Sequence, residues 1–425
     1  MGEDREVLGD TWVVLTGFCR IESSSSLGTS LRTKNSQLQL SLLRLYCCLI
    51  ATHMVRRALL FFSAAARTAA KMDAVTADRV KGAFVGALVA DALSLATHYE
   101  YDATRIREFY GAIDKYYAPG EKTGGTTHGV GWGTRNFHDG NGNGPAKQAG
   151  EQTDYGDYNL LVAEHLAATD NGFVVSEFLP VWQKALGTWR SWICTQTRQT
   201  YQQVAQGTPV EGLGGNSNAM SFRGAALLAY YDDEESVADA TRKASFTHRE
   251  ATALDGSEFF ARVAFRVSRG AEPKSAVEAV AAVSSSFVQG KVKQALAKVA
   301  EATDPESPLS KEAFTDDLAL TSMARLWDVG KSEPIKVGKA SPTEGTLPGA
   351  VYFIVKYGEL AAAAQANAEV GGDSASRAVA IGCVLGAAGG LSSVPPALGK
   401  GALVEWDRAL ALLDRMPLLR GAGEL

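Results

Sequence analysis

The stretch GGDSASR, residues 371–377, opens a run of small apolar residues that continues to Leu391. Its two glycines allow a tight turn and a close backbone approach to a ligand. Asp373 follows where a helix is expected to begin, a position that favours a carboxylate as the helix cap. The pattern therefore predicts a helix from this point to about Leu391. Asp373 either caps that helix or points into a cleft.

A second acidic, glycine-bearing helix start lies far upstream, in the stretch QTDYGD at residues 152–157. Two such corners, distant along the chain, suggest that both line one site. We therefore expect Asp154 and Asp373 to meet in space around a polar hollow.

The pattern from Met72 onward is helical. Residues 81–95 are apolar on nearly every side and rich in Ala and Gly, which predicts a buried helix that packs closely on its neighbours. Asp91 within it needs a partner, because an unpaired buried carboxylate is costly. Strict alternation is absent, so few or no strands are expected. The prediction is one compact all-α domain over residues 72–425, with further helices over 155–168, 258–267, 276–283, 292–299 and 350–364.

Composition excludes some functions. The chain has 425 residues, a net charge of −5 and no cluster of basic residues along its body, which argues against nucleic-acid binding. The apolar stretch 45–55 is too short to span a bilayer, so no membrane role is expected. Cys194 and Cys383 are typical of core thiols in a reducing compartment, and a cytoplasmic location is predicted.

Residues 1–71 differ from the rest of the chain. Their serine run at residues 23–26 and the Arg-containing stretch after it are typical of a disordered extension or a transit segment. A transit segment would direct the protein to an organelle, whereas Met72 also resembles a natural start. We treat residues 1–71 as a non-core extension.

Two loops are candidates for function. Residues 119–150 are rich in glycine and contain His128, Trp132 and His138, so this long segment is either a surface excursion or a lid over a cleft. Residues 212–218, GLGGNSN, precede a predicted helix that contains Arg223. Glycine, Asn and Ser at such a start suggest an anion cradle of backbone amides.

Five segments occur together in the order and approximate spacing of the ADP-ribosylglycohydrolase family, which this chain resembles over nearly all of residues 80–415. The Gly-Gly-Asp-Ser-Ala of the last segment is most similar to the branch that includes the J-class lens crystallins. The segments are GAFVGALVADALSL (82–95), QTDYGDYNLLVAEHL (152–166), GGNSNAMSFRGAALL (214–228), the Thr247-His248 pair and GGDSASRAVAIGCVLGAAGG (371–390).

The resemblance implies an all-helical orthogonal bundle. It also implies hydrolysis of the N- or O-glycosidic bond that joins ADP-ribose to a protein side chain or a small molecule. Active members of the family use two magnesium ions in a cleft.

The family's metal-binding positions are only partly kept. Thr153 and Asp154 match, but Tyr155 replaces a carboxylate, and His98 stands where the family has a glutamate. In the second motif Asp373 matches and Ser376 keeps a hydroxyl, while Ala375 replaces another carboxylate. Magnesium takes oxygen ligands, mostly carboxylates. Thr153, Asp154, Asp373 and Ser376 are therefore expected to hold one ion weakly, or none.

Other positions are assigned to ligand binding and catalysis. Asn218 and Arg223 match the family's ligand loop, and Gly371 and Gly372 are expected to approach the ligand. Arg377 lies one helical turn after Asp373, which predicts an ion pair that supplies positive charge where the family keeps a metal.

For hydrolysis, Asp154 or Asp157 would orient the water. His98 or Arg377 would steady the leaving group. A buried structural role for His98 stays open, and His248 is expected to support the packing around the site.

Two functions are consistent with the sequence. One is a glycosidic-bond hydrolase with a degenerate metal site. The other is a non-catalytic ADP-ribose-binding or crystallin-like structural protein of the same fold, since fold does not determine function.

Overall fold

The computed structural model describes residues 72–123, 138–323 and 338–420, together with the backbone of two short strands. The chain divides into units 1–70 and 71–425. The predicted extension 1–71 lies outside the described residues, as do His128 and Trp132 of the predicted lid. Within the described residues, no helix has the length and apolarity needed to cross a bilayer.

The predicted all-α class is confirmed. The described part of the chain contains fourteen α-helices and one antiparallel pair of two-residue strands, β1 (Arg325–Leu326) and β2 (Ile335–Lys336). The helices are α1 (Ala74–Ser94), α2 (Ala103–Tyr110), α3 (Asp154–Ala167), α4 (Val175–Leu186), α5 (Thr195–Ala205), α6 (Glu234–Ala244), α7 (Ala251–Ser268), α8 (Pro273–Ala281), α9 (Ser286–Thr303), α10 (Thr315–Met323), α11 (Thr343–Tyr357), α12 (Leu360–Val370), α13 (Ser374–Gly389) and α14 (Trp406–Leu413).

Helices α1 and α13 pack against each other at the centre of the core. A Cβ added at Gly86 would lie 2.5 Å from the Gly382 carbonyl oxygen and 2.9 Å from the Gly386 Cα. The two backbones are therefore in direct contact, as the small residues of both segments predicted. The helices run antiparallel, because the end of α1 lies beside the start of α13, where His98 pairs with Gly372.

Two sequence predictions of helices are wrong in detail. The helix predicted over 350–364 is interrupted between α11 and α12, because Gly358 adopts a left-handed conformation with φ of 70° and ends α11. Arg223 lies in no α-helix. It follows an irregular stretch and precedes a 3₁₀ turn, Ala225–Ala229. The glycine loop at residues 212–218 therefore has no helix N-terminus behind it.

Candidate functional site

A cleft of about 540 Å³ opens between the start of α3, the start of α5 and the irregular segment before the Ala225–Ala229 turn. Its walls combine aromatic rings with hydroxyl, amide and charged groups. The residues that line it are Tyr99, Tyr101, Asp154, Tyr155, Tyr158, Trp192, Cys194, Thr195, Gln196, Thr197, Gln199, Asn216, Ser217, Ala219, Met220, Ser221, Phe222, Arg223, His248 and Ser341.

Thr153 holds the start of α3 against α1. It is the helix cap, and its Oγ1 accepts a hydrogen bond from the Tyr155 amide at 3.1 Å. The same hydroxyl donates to Asp91 Oδ1 at 2.6 Å, and the Thr153 amide donates to Asp91 Oδ2 at 2.8 Å. Burial nevertheless raises the pKa of Asp91 to about 7. The partner that buried Asp91 was expected to need is therefore a backbone amide together with a hydroxyl.

Asp154 is the first residue of α3 and lines the cleft, although its side chain is only 9% exposed. Its Oδ1 has no hydrogen-bond partner within the described residues. Burial, followed by the neighbouring Asp373, raises the pKa of Asp154 well above its ordinary value. Asp154 is therefore a cleft-lining residue whose buried Oδ1 keeps an unused hydrogen-bonding capacity.

Asp373 is fully buried and caps α13, accepting a hydrogen bond from the Ser376 amide at 3.1 Å. Its Oδ2 accepts a hydrogen bond from the Tyr155 hydroxyl at 3.0 Å. Burial raises the pKa of Asp373. The two acidic helix starts therefore do meet, but only Asp154 lines the cleft. Asp373 lies behind Tyr155.

The glycine pair at the start of this motif joins two chain segments. Gly371 and Gly372 have φ of 71° and 69°, and a Cβ at either position would collide with backbone of another segment. The Gly372 amide donates to Glu100 O at 2.6 Å, and its carbonyl accepts from the Tyr99 amide at 2.7 Å. The pair therefore positions the chain after α1 beside Asp373 and is not among the residues that line the cleft.

This arrangement places His98 beside Asp373. The His98 ring is fully buried, and its Nδ1 lies 3.7 Å from Asp373 Oδ1 and 3.5 Å from the Ala375 amide nitrogen. Burial, reinforced by Arg377, lowers the pKa of His98 to about 3. His98 is therefore buried, as the structural role left open for it requires. Its Nε2 has no hydrogen-bond partner among the described residues.

The predicted ion pair between Arg377 and Asp373 is wrong. The Arg377 guanidinium is fully buried and donates to Asn367 Oδ1 at 2.8 Å and to Gly371 O at 2.6 Å. Among the described residues, no carboxylate oxygen of Asp373 or Asp154 lies within ion-pair distance of it. Asn367 and the turn before α13 engage the guanidinium instead, so Arg377 braces the motif.

Asp157 is already occupied by protein partners. Its Oδ2 accepts hydrogen bonds from Lys147 Nζ at 2.7 Å and from Ser191 Oγ at 2.5 Å. It is not among the residues that line the cleft, so its carboxylate ties α3 to the segments on either side. Of the two carboxylates predicted to orient a water molecule, only Asp154 lines the cleft.

The four oxygen ligands predicted for magnesium do not fit that ion. Thr153 Oγ1 is engaged by Asp91 and by the amide that it caps. Ser376 Oγ donates to the Met220 carbonyl at 3.1 Å and is fully buried. Asp373 accepts a hydrogen bond from the hydroxyl of Tyr155, the residue that replaces a family carboxylate. Mg²⁺ is usually held by one or two carboxylates and keeps several waters. Of the four residues, only Asp154 has an oxygen without a partner in the described part of the chain, so the other three would have to give up their present hydrogen bonds to bind the ion.

A different set of side chains has the composition of a metal site. One atom each from His98, His138 and Asp154 lie within 4.8 Å of one another, and all three side chains are buried. His138 stood out in the sequence only as one polar residue of a long glycine-rich loop. Nothing in its local pattern signalled that it lies beside His98.

The predicted ligand-loop residues divide between the cleft and the packing around it. Arg223 lines the cleft, with its guanidinium 3.9 Å from the centre of the Tyr158 ring and a hydrogen bond to Ala244 O at 3.0 Å. The Asn218 side chain donates to Glu344 at 3.0 Å and is not among the lining residues. Its neighbours Asn216 and Ser217 face the cleft instead.

The expectation that Cys194 is a core thiol is wrong, whereas Cys383 is buried as expected. Cys194 caps α5 and lines the cleft. Its Sγ lies 3.7 Å from His248 Nε2, and His248 Nδ1 lies 2.8 Å from Thr247 Oγ1. Burial lowers the pKa of His248 to about 3. His248 is therefore a wall of the cleft as well as a packing residue.

Comparison with known proteins agrees with this architecture. A family model described as ADP-ribosylglycohydrolase matches residues 72–424. A solved structure titled "ADP-ribosylglycohydrolase-related protein complex" is similar with a TM-score of 0.52 and 20% identity, and the match covers 82% of this chain and 99% of that chain. At this identity the likeness shows the fold alone. A search of curated protein sequences finds no match. Because the family model spans most of the chain, the protein belongs to the ADP-ribosylglycohydrolase family.

Proposed function

We propose that this protein hydrolyses the N- or O-glycosidic bond that joins ADP-ribose, or a related nucleotide sugar, to a protein side chain or a small molecule. Family membership supports the reaction class. The observation that carries the proposal is Asp154 in the cleft wall, whose buried Oδ1 has no hydrogen-bond partner among the described residues. Glycosidic hydrolysis needs such a group to position the attacking water.

The cleft has the size and chemistry for a nucleotide sugar. Its volume of about 540 Å³ lies in the range typical of small-molecule sites. Tyr99, Tyr101 and Trp192 provide aromatic surface for a nucleobase, and stacking of this kind contributes about 1–3 kcal/mol per base. Arg223 supplies a cationic group for phosphate oxygens. Asn216 and Ser217 add uncharged hydrogen-bonding groups along the same wall.

The residues of the chain divide the work as follows. Asp154 accepts a hydrogen bond from the water that attacks the anomeric carbon. As the new C–O bond forms, the glycosidic C–N or C–O bond breaks, and the proton lost by the water ends on the departing nitrogen or oxygen. The Tyr155 hydroxyl and the Asp373 carboxyl behind it keep the start of α3 in place, since they join it to α13. His98 supports Asp373 and does not open on the cleft. The predicted magnesium ion takes part in no step, because its oxygen ligands do not fit.

The test combines binding and turnover. ADP-ribose at a hundred times its dissociation constant should raise the free energy of unfolding by about 2.7 kcal/mol, with or without magnesium. Peptides ADP-ribosylated on arginine or serine should release ADP-ribose. Asp154→Asn should abolish release while ADP-ribose still binds. Asp239→Asn, which changes an exposed carboxylate paired with Lys243, is the matched control and should retain activity.

A second candidate function is a non-catalytic ADP-ribose-binding or crystallin-like structural protein. Tyr155 and Ala375 favour it, because both stand at positions where the family has carboxylates, and Tyr155 is hydrogen-bonded to Asp373. Stabilisation by ADP-ribose without turnover would support a binding protein. Neither stabilisation nor turnover would support a structural protein and end the hydrolase proposal.

A further inference from the structure

Three buried side chains from separate chain segments converge beside the cleft. His98 follows α1, His138 lies in the loop before α3, and Asp154 is the first residue of α3. A ring nitrogen from each histidine and one carboxylate oxygen lie within 4.8 Å of one another. His98 and His138 are fully buried, and Asp154 is 9% exposed.

Each of these side chains has a buried polar atom without a hydrogen-bond partner among the described residues. These atoms are His98 Nε2, both ring nitrogens of His138 and Asp154 Oδ1. A buried donor or acceptor without a partner costs about 1–3 kcal/mol. Four such atoms in one small cluster would be a large combined penalty unless one bound group satisfied several of them together.

The donor set indicates which group that is. Two imidazoles and one carboxylate suit the borderline divalent ions, of which Zn²⁺ takes imidazole and carboxylate ligands at about 2.0–2.2 Å. Mg²⁺ prefers oxygen ligands throughout. Donors around a tetrahedral zinc ion lie about 3.3 Å apart. The three ligand atoms lie at most 4.8 Å apart, so each distance between them would have to shorten by no more than about 1.5 Å to bind the ion.

Asp373 is placed to orient one of the ligands. Its Oδ1 lies 3.7 Å from His98 Nδ1, the nitrogen opposite the free Nε2. A carboxylate behind a ligating imidazole commonly accepts the proton of its second nitrogen and holds the ring in place. Asp373 is itself held by the Tyr155 hydroxyl and the Ser376 amide. The Ala375 amide donates a hydrogen bond to the same Nδ1 at 3.5 Å, so an ion at Nε2 would require this long bond to give way to donation from Nδ1 to Asp373.

We propose that His98, His138 and Asp154 bind one divalent ion of the zinc class, such as Zn²⁺, Co²⁺ or Ni²⁺, with His98 coordinating through Nε2. The carboxylate that lines the cleft would then also hold the ion. The oxygen-ligand magnesium centre of the family would in this chain be replaced by a nitrogen-containing one. The proposal concerns the cleft of the proposed hydrolase, but it does not depend on hydrolysis.

The test uses the full chain, freed of metal with a chelator. Titration with Zn²⁺ followed by calorimetry should show one tight site per chain, and a large excess of Mg²⁺ should not compete. His98→Gln, His138→Gln and Asp154→Asn each change a proposed ligand. Each should weaken Zn²⁺ binding by more than about 10- to 100-fold, which is the typical loss when a residue behind a metal ligand is changed. Asp373→Asn, which changes only the residue behind His98, should have a smaller effect.

The control variant is His165→Gln. His165 is also buried, and its Nε2 has no partner in the described parts of the chain, but its ring packs between Phe173 and Phe178. It should leave Zn²⁺ affinity unchanged. If the ligand variants do not fold, X-ray absorption of the zinc-loaded wild-type chain answers the same question and should show two imidazole nitrogens.

Several results would overturn the proposal. They are the absence of a stoichiometric site, equal competition by Mg²⁺ and an oxygen-only coordination shell. A thiolate-to-metal charge-transfer band with Co²⁺ would place the ion on cysteines and overturn it too. The readouts are independent of turnover, so an inactive protein that binds zinc through these residues would refute the hydrolase proposal alone.

Discussion

The contact between α1 and α13 should tolerate no added methyl group, and Gly86→Ala tests this. The new Cβ would lie 2.5 Å from the Gly382 carbonyl oxygen, whereas ordinary contact begins at 3.4 Å, so the helices must separate by 3.4 − 2.5 = 0.9 Å. Overpacking costs about 1–3 kcal/mol, and the upper end applies because the obstacle is backbone. Replacing glycine by alanine inside a helix also stabilises the helix by about 1 kcal/mol, because alanine has the higher helix propensity. A net loss of about 2 kcal/mol is expected.

Gly290→Ala is the matched control for that substitution. Gly290 is an exposed glycine of α9, and nothing lies within 4 Å of its added Cβ. The control should therefore gain about 1 kcal/mol from propensity alone. Thermal unfolding followed by circular dichroism measures both, at about 2 °C per kcal/mol for a domain of this size. Gly86→Ala should melt about 4 °C lower and Gly290→Ala about 2 °C higher than wild type. A Gly86→Ala protein that melts at or above wild type would refute the direct backbone contact.

Three further predictions concern single groups. Tyr155→Phe leaves the buried Asp373 Oδ2 without its donor and should lower the free energy of urea unfolding by about 1–3 kcal/mol; an unchanged midpoint would contradict that hydrogen bond. The folded-state pKa of His248 is about 3, below its ordinary 6.5, so its stabilising effect is present above pH 6.5 and is lost on acidification. Wild type should therefore lose about 2 kcal/mol relative to His248→Gln between about pH 7.5 and pH 5, measured by urea unfolding at both values, and a constant difference would refute the low pKa. Gly358→Ala introduces a side chain at φ of 70° with open space around it, so about 1 kcal/mol of stability should be lost to backbone strain alone; asparagine, which tolerates this conformation, should lose less in the same thermal assay.

The fold was accessible from local patterns. Helical spacing predicted the all-α class, and the small residues of 81–95 and 371–391 predicted close packing. The interruption at Gly358 was missed, because the apolar pattern continues across it. The left-handed backbone of Gly358 ends α11, and the apolar spacing does not record it.

The site was accessible only in part. The sequence predicted that Asp91 needs a hydrogen-bond partner, since a carboxylate in an apolar helix is costly to bury alone. No residue near Asp91 in the sequence indicated that this partner is Thr153. Arg377 shows the opposite error. Helical spacing placed it near Asp373, yet Asn367 of the neighbouring helix and the Gly371 carbonyl engage its guanidinium.

Periodicity and composition alone predicted the all-α class, the small-residue character of the segments that form α1 and α13, and the two acidic helix starts at Asp154 and Asp373. Helical hydrogen bonds and amphipathic spacing are local, so a short window of residues contains the information. Which groups surround those acids depends instead on packing between segments that lie far apart in the chain. His138 reaches His98 in this way, and Cys194 reaches His248, because each pair is joined by a contact between distant segments that no local pattern records.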